Sequence, residues 1–315
     1  MQLTAGIDIG GTNTVVGLVD EQGRIVFRDK LKTGQYPIVN DLLSAIEGSV
    51  NKAAEQIGSF ELLGYGIGAP NGNLKTGTIE FAANLPWERN LPLAAMAAEK
   101  FRKPCRLTND ANAAALGEKI YGKAKGLSDF IVITLGTGVG AGIVSNGLLL
   151  TGFDGSAGEL GHTIVVPNGR KHWGTHVAGC LEAYASATGI VLTAIEFLEA
   201  DERSSLLNRY DKKEITSQVI YECAMAGDQL ALKVFRFTAE LLGIALANFV
   251  LFSAPEAVIL FGGVAKGKDL FLSVASAHMD RCLPANWRAK TKLLVSELPE
   301  ADAAILGAAS LLQSH

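Results

Sequence analysis

Two glycine-rich turns constrain the fold of this chain more than any other feature of its sequence. The first lies in the segment Gly6 to Thr14, which reads GIDIGGTNT, and the second lies in Ile133 to Gly140, which reads ITLGTGVG. Each stands between apolar runs and continues through a polar turn, at Gly23 or Gly147, into a third strand-like run. Glycine lets backbone N–H groups approach a phosphate closely, and threonine adds a hydroxyl donor. We therefore predict two hairpins, from duplicated halves, that face each other and clamp a polyphosphate.

Other phosphate-binding motifs fit the sequence less well. The nearest approach to G-x-x-x-x-G-K-[ST] runs from Gly263 to Asp269, where the spacing is one residue short and the metal-binding hydroxyl is missing. The dinucleotide pattern G-x-G-x-x-G/A occurs at Gly64 to Ala69 and at Gly136 to Ala141, but its mechanism requires a helix that begins in the turn. Pro70 follows the first match and a strand-like run follows the second. We interpret both as chance matches, and ordinary tight turns remain the alternative for either hairpin alone.

The composition limits the class of protein. At 315 residues the chain suffices for two modest domains or one large one, and its 48% hydrophobic and 19% charged residues are typical of a soluble globular enzyme. A net charge of -4 and a pI near 5.8 argue against nucleic acid or an anionic membrane as a partner. An anionic ligand should therefore be held locally, by backbone donors and a metal ion.

Cysteine usage and hydrophobic segments predict a cytoplasmic protein. A strand with a buried acid is expected to begin by residue 8, which leaves no room for a signal peptide. The most apolar stretch, Leu241 to Ala254, is interpreted as a buried helix that is too short to cross a bilayer. The four cysteines are scattered and do not form the pattern of a disulfide framework: Cys105, Cys180, Cys223 and Cys282.

Strand-like and helical segments alternate along the chain. A repeated three-strand opening, at residues 4–32 and 130–150, is followed in each half by helices and further buried strands, which indicates a duplicated α/β architecture. Asn90 is a plausible N-cap for a helix from about Leu91 to Phe101. The strand Cys105 to Thr108 meets Asn109 and Asp110, where an alanine-rich helix is expected to begin.

Five ordered strings carry a family resemblance. They read DIGGTNT (8–14), NDANAAALGE (109–118), LGTGVG (135–140), GELGH (158–162) and GCLEAYAS (179–186). The first resembles the phosphate loop of the sugar kinase, actin and heat-shock-protein ATPase superfamily. Together the strings resemble the ROK family (repressors, open reading frames, kinases), nearly end to end. Because ROK repressors carry a helix-turn-helix ahead of the phosphate loop, which starts here at residue 8, the chain resembles the kinase branch.

The resemblance implies a duplicated ribonuclease H-like, or actin-like ATPase, fold with two domains around a cleft. We expect a small α/β domain at residues 1–108 and a large α/β domain at residues 109–299. The C-terminal helix, at about 300–315, should pack back on the first domain. Family members are often dimers, so a homodimer is expected.

Two aspartates are assigned to phosphoryl transfer. Asp110 lies where a strand ends and a helix begins, and the helix N-terminus should favour its ionised form as the base for the sugar hydroxyl. A simple N-cap is the alternative for Asp110. Asp8 is the expected indirect anchor for Mg²⁺ on the β and γ phosphates of ATP, and a turn-capping aspartate is its alternative.

The remaining ligand contacts follow from the hairpins and from the resemblance. Backbone and hydroxyl donors for ATP are expected at Gly10, Gly11, Thr12, Asn13, Thr14, Gly136, Thr137 and Gly138. Adenine should lie by Gly262 and Gly263, where no side chain obstructs it. The resemblance assigns the sugar hydroxyls to Asn84, Asn109, Asp110, Glu159, His162 and Glu182. Glu159 and His162 stand three residues apart, so one helical turn could direct both at the same ligand. Trp87 is interpreted as a core residue rather than a stacking platform.

One departure from the family pattern concerns zinc. ROK kinases commonly bind a structural zinc through the histidine of Gly-His and a C-x-C-x₄-C loop. Counting back from Cys180, the other two cysteine positions hold Trp173 and Thr175. Because tetrahedral zinc needs four ligands, we expect no zinc, a loop held by packing, and solvated loop histidines. A rearranged site is the alternative, with these ligands: His162, His172, His176 and Cys180.

These observations predict an ATP-dependent hexokinase of ROK type, with ATP and Mg²⁺ as cofactors. The 6-hydroxyl of glucose is the expected acceptor. Phosphorylation of N-acetylglucosamine, N-acetylmannosamine or fructose is the second hypothesis. A sugar-sensing regulator that binds hexose without turnover is a third, from another class of protein.

Overall fold

The chain folds into alternating strands and helices. The structure, a computed structural model, describes residues 1–81, 85–200 and 204–313. Its strands are β1 (Gln2–Ile9), β2 (Asn13–Val19), β3 (Ile25–Lys32), β4 (Glu61–Gly68), β5 (Gly72–Asn73), β6 (Thr78–Ile79), β7 (Cys105–Thr108), β8 (Phe130–Leu135), β9 (Val139–Ser145), β10 (Leu148–Leu149), β11 (Ala257–Phe261) and β12 (Lys292–Val295). Its helices are α1 (Val39–Ile57), α2 (Leu93–Phe101), α3 (Asp110–Tyr121), α4 (Glu182–Ala185), α5 (Ala187–Ala200), α6 (Ser217–Met225), α7 (Gln229–Ser253), α8 (Lys268–Cys282) and α9 (Glu300–Ser310).

Two five-stranded sheets repeat one topology. The first has the order β3-β2-β1-β4-β7, in which β1, β2 and β3 pair antiparallel while β4 and β7 run parallel to β1. The second has the order β10-β9-β8-β11-β12, in which β10 pairs antiparallel with β9 and the strands β8, β11 and β12 are parallel. The same strand order in each half confirms the predicted duplicated α/β architecture. In each sheet a glycine-rich turn joins the first two strands.

The chain divides into two compact units. The first unit comprises Met1–Ser128, Gly142–Gly158 and Glu297–His315, and the second comprises Asp129–Ala141 and Glu159–Ser296. The contact-based division therefore keeps α3 with the first sheet, whereas the boundary drawn from sequence falls at residue 108. The sequence boundaries at 108 and 299 remain a proposal about domain organisation.

The core of the first unit lies on both faces of its sheet. On one face, α1 buries Leu42, Leu43 and Ile46 completely. The helix α9 packs against β1 and β4, and glycines in these strands let its backbone come close. A Cβ atom added at Gly6 or Gly66 would overlap the carbonyl groups of residues 305 and 308 in α9. This close approach is possible only where the strand residue lacks a side chain.

Three local expectations were wrong or incomplete. Asn90 does not cap α2, because that helix begins at Leu93 with Pro92 as its N-cap, and Asn90 has a positive φ of 58°. The strand β12 was missed, because its four residues, KLLV, form a run too short to stand out. The apolar stretch at Leu241 belongs to the 25-residue helix α7, so the predicted buried helix is longer than we inferred.

The helix α7 also bears on membrane association. In the described part of the chain it is the one helix that is long and apolar enough to cross a membrane by length and composition. Within the protein, 67% of its most apolar window is buried. Extensive burial of this kind is typical of a core helix.

Candidate functional site

The first hairpin is closed by hydrogen bonds at its turn. The Gly10 N–H donates to the Asn13 carbonyl oxygen at 2.9 Å. The Thr33 hydroxyl donates to the Gly10 carbonyl at 2.7 Å and lies 3.0 Å from the hydroxyl of the buried Thr14. Thr14 therefore supports the turn indirectly, through its contact with Thr33. The N–H groups of Gly11 and Thr12 have no hydrogen-bond partner in the described residues, so these two donors are available to an anion.

Asp110 occupies the first position of α3 and does not cap it. The N-cap is Asn109, whose Oδ1 accepts a hydrogen bond from the Asn112 N–H at 2.8 Å. The capping alternative for Asp110 is thereby removed, because its neighbour performs that function. Within the described residues, neither Asp110 nor Asp8 has a side-chain hydrogen bond or ion pair. Both carboxylates are therefore left for a ligand or solvent.

The electrostatic environment of Asp110 differs from the sequence expectation. Desolvation by the surrounding protein, followed by the negative charge of Asp8, raises the pKa of Asp110 to about 7. Desolvation likewise raises the pKa of Asp8 above its ordinary value. The shift is opposite in sign to the one that a helix N-terminus produces, so the expectation that the N-terminus favours the ionised form of Asp110 was wrong. Asp110 nevertheless remains exposed to solvent.

Two buried polar atoms belong to the residues on either side of Asn109 and Asp110 in the sequence. Thr108 Oγ1 and Asn112 Oδ1 are buried and have no hydrogen-bond partner in the part of the chain that the structure describes. Buried polar groups are normally satisfied, so atoms of this kind mark places where water or a ligand completes the network. Asn112 is not among the site residues predicted from the sequence. Its position two residues after Asp110, in the first turn of α3, is the signal that could have identified it.

The second hairpin is held differently from the first. Within its turn, the Gly136 N–H donates to the Gly138 carbonyl at 3.0 Å, and the Gly140 N–H donates to Thr134 Oγ1 at 3.1 Å. The Val139 N–H donates to Glu182 Oε2 at 2.6 Å. The N–H groups of Thr137 and Gly138 are left without a partner among the described residues. Of the predicted phosphate donors in this turn, these two backbone groups remain open.

Three of the predicted sugar-binding side chains lie in the second unit. The 3₁₀ turn Leu160–His162 brings His162 Nε2 to 3.9 Å from Glu159 Oε2, so the two side chains are neighbours. Glu182 begins α4 and is 15% exposed, so it is not a solvated surface residue. The rings of His162 and His172 meet edge to face, with centroids 5.7 Å apart. We refer to Glu159, His162, His172 and Glu182 as the His–Glu cluster.

His172 lies in an environment that differs from the one expected from the sequence. It was expected to be solvated, but it is 4% exposed and its Nε2 lies 2.5 Å from Glu182 Oε1. His176, by contrast, is exposed as expected. The signal that could have revealed His172 is its place beside the missing cysteine position at Trp173. A loop that lacks the cysteine ligands for zinc needs another group to fix its conformation.

The glycines after β11 border a pocket in the second unit. Gly262 packs so closely on β8 that an added Cβ would lie 2.6 Å from the Leu135 carbonyl oxygen. Gly263 contributes to the wall of the pocket together with Tyr221, Phe235, Val264 and Gly267. A cavity with aromatic and glycine walls suits a flat heterocycle. This environment supports the adenine position inferred from the two glycines.

Two other sequence inferences concern residues near position 85. Asn84, a predicted sugar contact, lies outside the described residues. Trp87 packs against the core of the first unit, and its Nε1–H donates to the Tyr36 carbonyl at 3.0 Å. Trp87 is therefore partly buried at the edge of the core, where it also lines a pocket with Phe81 and Leu85.

The repeated sheets and their glycine turns define the class of protein. The chain has the actin-like ATPase fold, in which each half opens with a hairpin suited to phosphate. A model of the ROK family matches residues 4–315, and the chain belongs to the ROK family.

Known relatives include both enzymes and regulators. A curated glucokinase from Thermotoga maritima is 36% identical over 323 residues, which cover 98% of this chain and 97% of the relative. A xylose repressor from Caldicellulosiruptor bescii is 32% identical over 272 residues, which cover 85% of this chain and 67% of the relative. Among solved structures, a ROK family glucokinase from Streptomyces griseus, in complex with glucose and AMPPNP, matches with a TM-score of 0.78 and 36% identity, covering 98% of each chain.

Proposed function

We propose that this protein is an ATP-dependent hexokinase that phosphorylates the 6-hydroxyl of glucose. The observation that carries the proposal is the state of Asp110 at the start of α3. Its carboxylate neither caps the helix nor has a partner in the described residues, and its pKa is raised to about 7. A general base works best when its pKa lies near the working pH. The glucokinase relatives, at 36% identity over nearly the full chain, support the same activity.

In the proposed reaction, Asp110 accepts the proton of the sugar hydroxyl as its oxygen attacks the γ-phosphorus of ATP. The P–O bond to the ADP leaving group breaks, and the phosphoryl group moves to the sugar oxygen. The N–H groups of Gly11, Thr12, Thr137 and Gly138 are the backbone donors available to the phosphates. Glu159, His162 and Glu182 are the proposed sugar contacts in the second unit, and Asn109, Asn84 and Asp110 are those in the first.

Mg²⁺ is the metal that this reaction requires, and Asp8 fits its role. Asp8 is the penultimate residue of the largely buried strand β1, and its carboxylate has no cationic or hydrogen-bonding partner in the described residues. A hard oxygen ligand of this kind suits Mg²⁺, directly or through its water molecules. When bound, Mg²⁺ neutralises charge on the β and γ phosphates.

A panel of sugars tests both the activity and the acceptor. We expect ADP release, measured with a coupled assay, to require ATP, Mg²⁺ and hexose, with the highest kcat/KM for glucose. NMR of the product should show phosphate on the 6-oxygen. Higher kcat/KM with N-acetylglucosamine, N-acetylmannosamine or fructose would reassign the substrate and leave the reaction class intact.

The regulator hypothesis is favoured by one observation, the similarity to xylose repressors. A regulator would bind sugar, as measured by calorimetry, without releasing ADP. The available Asp110 and the two open phosphate turns argue for turnover instead. Sugar binding with no detectable ADP release would contradict the kinase proposal.

A cytoplasmic location and a homodimer are also proposed. The location rests on the cysteine usage and hydrophobic segments of the sequence, and the extensive burial of α7 agrees with it. The dimer rests on the family resemblance. Light scattering coupled to gel filtration measures the oligomeric state directly. A monomeric mass at working concentration would contradict the dimer.

A further inference from the structure

The zinc site implied by the family resemblance does not fit the residues of this chain. Trp173 and Thr175, at two of the cysteine positions, are exposed and offer no thiolate. No group of three or more His, Cys, Asp or Glu side chains that could hold a metal ion occurs among the described residues. A tetrahedral zinc requires four such ligands. Some other interaction must hold the loop that leads to Glu182.

His172 makes that interaction through its Nδ1 atom. This nitrogen accepts hydrogen bonds from the N–H groups of Gly174 at 3.1 Å and Thr175 at 3.0 Å, and lies 3.1 Å from the Thr175 hydroxyl. An imidazole nitrogen that accepts from N–H groups carries no hydrogen. The geometry therefore fixes the tautomer, with the hydrogen on Nε2. The Trp173 ring packs on the imidazole, with ring centroids 4.2 Å apart.

The other nitrogen reaches the carboxylate of Glu182. Because His172 Nε2 carries the hydrogen, it donates to Glu182 Oε1 at 2.5 Å. Glu182 Oε2 accepts the Val139 N–H of the second hairpin at 2.6 Å. Each carboxylate oxygen thus has one fixed donor, and each keeps a second lone-pair position for a ligand hydroxyl. Hydrogen bonds to an ionised carboxylate are short and strong, so they fix its orientation.

We propose that His172 takes the place of the zinc, because it closes the loop through Nδ1 and orients Glu182 through Nε2. His172 is a positioning residue, since it acts on the sugar through Glu182. The sugar-binding part of this inference rests on the proposed function. Zinc in other members would tie the loop by coordination, whereas this chain ties it with hydrogen bonds from a single imidazole.

Two substitutions separate the two functions of His172. The Oδ1 atom of His172→Asn can replace Nδ1 as an acceptor, but the shorter side chain no longer donates to Glu182. The Nε2 atom of His172→Gln can still donate to Glu182, but the acceptor for the loop is lost. We expect His172→Asn to raise KM for glucose about tenfold with an unchanged KM for ATP, as befits loss of a charge-assisted hydrogen bond. His172→Gln should lower Tm and keep KM for glucose near that of the wild type.

A merely structural role would give a different pattern. It predicts that both variants lower Tm and that neither changes KM for glucose selectively, and this result would overturn the positioning role. The control is His278→Gln in α8, a substitution of the same chemistry remote from the loop in sequence. It should leave KM and Tm unchanged.

Two further measurements do not depend on activity. In protein prepared without added metal or a metal-affinity column, elemental analysis should find well under one zinc per chain. The ¹⁵N NMR signals of His172 should show hydrogen on Nε2 and a bare Nδ1. Stoichiometric, chelator-resistant zinc, or hydrogen on Nδ1, would overturn the proposal. If the protein phosphorylated no sugar, the kinase proposal would fail, while these measurements would still decide whether His172 replaces the metal.

Discussion

The two glycine hairpins have similar sequences and occupy the same place in two equivalent sheets, yet their supports differ. Hydroxyl groups brace the first, where Thr33 bonds to the Gly10 carbonyl and lies beside Thr14. A carboxylate braces the second, where Glu182 accepts the Val139 N–H. The first turn is therefore joined to neutral, buried side chains. The second is joined to an anionic side chain that is itself a predicted sugar contact.

This difference indicates how a duplicated motif acquires two functions. The first hairpin and the start of α3 provide the carboxylates Asp8 and Asp110, which suit metal binding and proton transfer. The second hairpin shares a hydrogen bond with the His–Glu cluster, so changes there should affect the sugar as well as the nucleotide. The following predictions test this division, from the largest expected effect to the smallest.

Substitution of the proposed base should have the largest effect. Asp110→Asn keeps the shape of the side chain but cannot accept a proton, so kcat should fall by at least about 10²-fold. Steady-state kinetics measure the loss, and calorimetry should find glucose affinity reduced much less. Asp41→Asn is a matched control, because Asp41 is also an aspartate in the first turn of a helix, and it is exposed. Near-normal turnover in Asp110→Asn would refute the assignment.

The pH profile tests the environment of the first hairpin. Asp110 must be deprotonated to act as a base, and its pKa is raised to about 7. We therefore expect kcat/KM to fall about tenfold per pH unit on the acid side of about pH 7.

Because the charge of Asp8 contributes to this shift, Asp8→Asn should lower the pKa of Asp110, as measured by carboxyl NMR titration. An unchanged pKa of Asp110 in that variant would show that the two carboxylates are not coupled.

A methyl group in the second turn tests its link to Glu182. A Cβ atom at Gly138 would lie 2.6 Å from Glu182 Oε2, whereas a Cβ atom at Gly136 meets nothing within 4 Å. Gly138→Ala should displace the Glu182 carboxylate and raise KM for glucose on the order of tenfold. A change of that size corresponds to the loss of one hydrogen bond to a charged group. Gly136→Ala, two residues away in the same turn, should leave KM for glucose unchanged. Equal glucose KM values in the two variants would show that the turn and the sugar contact are independent.

The brace of the first hairpin should matter mainly for stability. Thr33→Val leaves the Gly10 carbonyl and the buried Thr14 hydroxyl without their partner, which should lower the free energy of unfolding by about 1–3 kcal/mol. Thr33→Ser retains the hydroxyl and should lose less. Denaturant unfolding measures the difference, and KM for glucose should not change. A change in that KM would contradict the separation of the two hairpins.

The fold could be predicted further than the site. Both three-strand openings could be predicted from apolar runs separated by glycine-containing turns. The alternation of apolar and polar residues and the choice of turn residues are local properties of the sequence. The short strand β12 and the N-cap of α2 were missed or misplaced, since each depends on neighbours distant in the chain. His172 was misjudged for a related reason. Its role follows from two hydrogen-bonding partners, the turn at Gly174 and the carboxylate of Glu182, which only the folded loop brings together.

The position of α9 has a consequence for synthesis of the protein on the ribosome. The strand β1 emerges long before the helix that covers its glycines, because that helix follows about 290 residues later, after the whole second unit. At about 5–20 residues per second, that interval lasts roughly 15–60 s. During this time one face of the first sheet is apolar and uncovered, which makes it a surface for chaperones to shield. The unit that begins to form first is therefore the last to be completed.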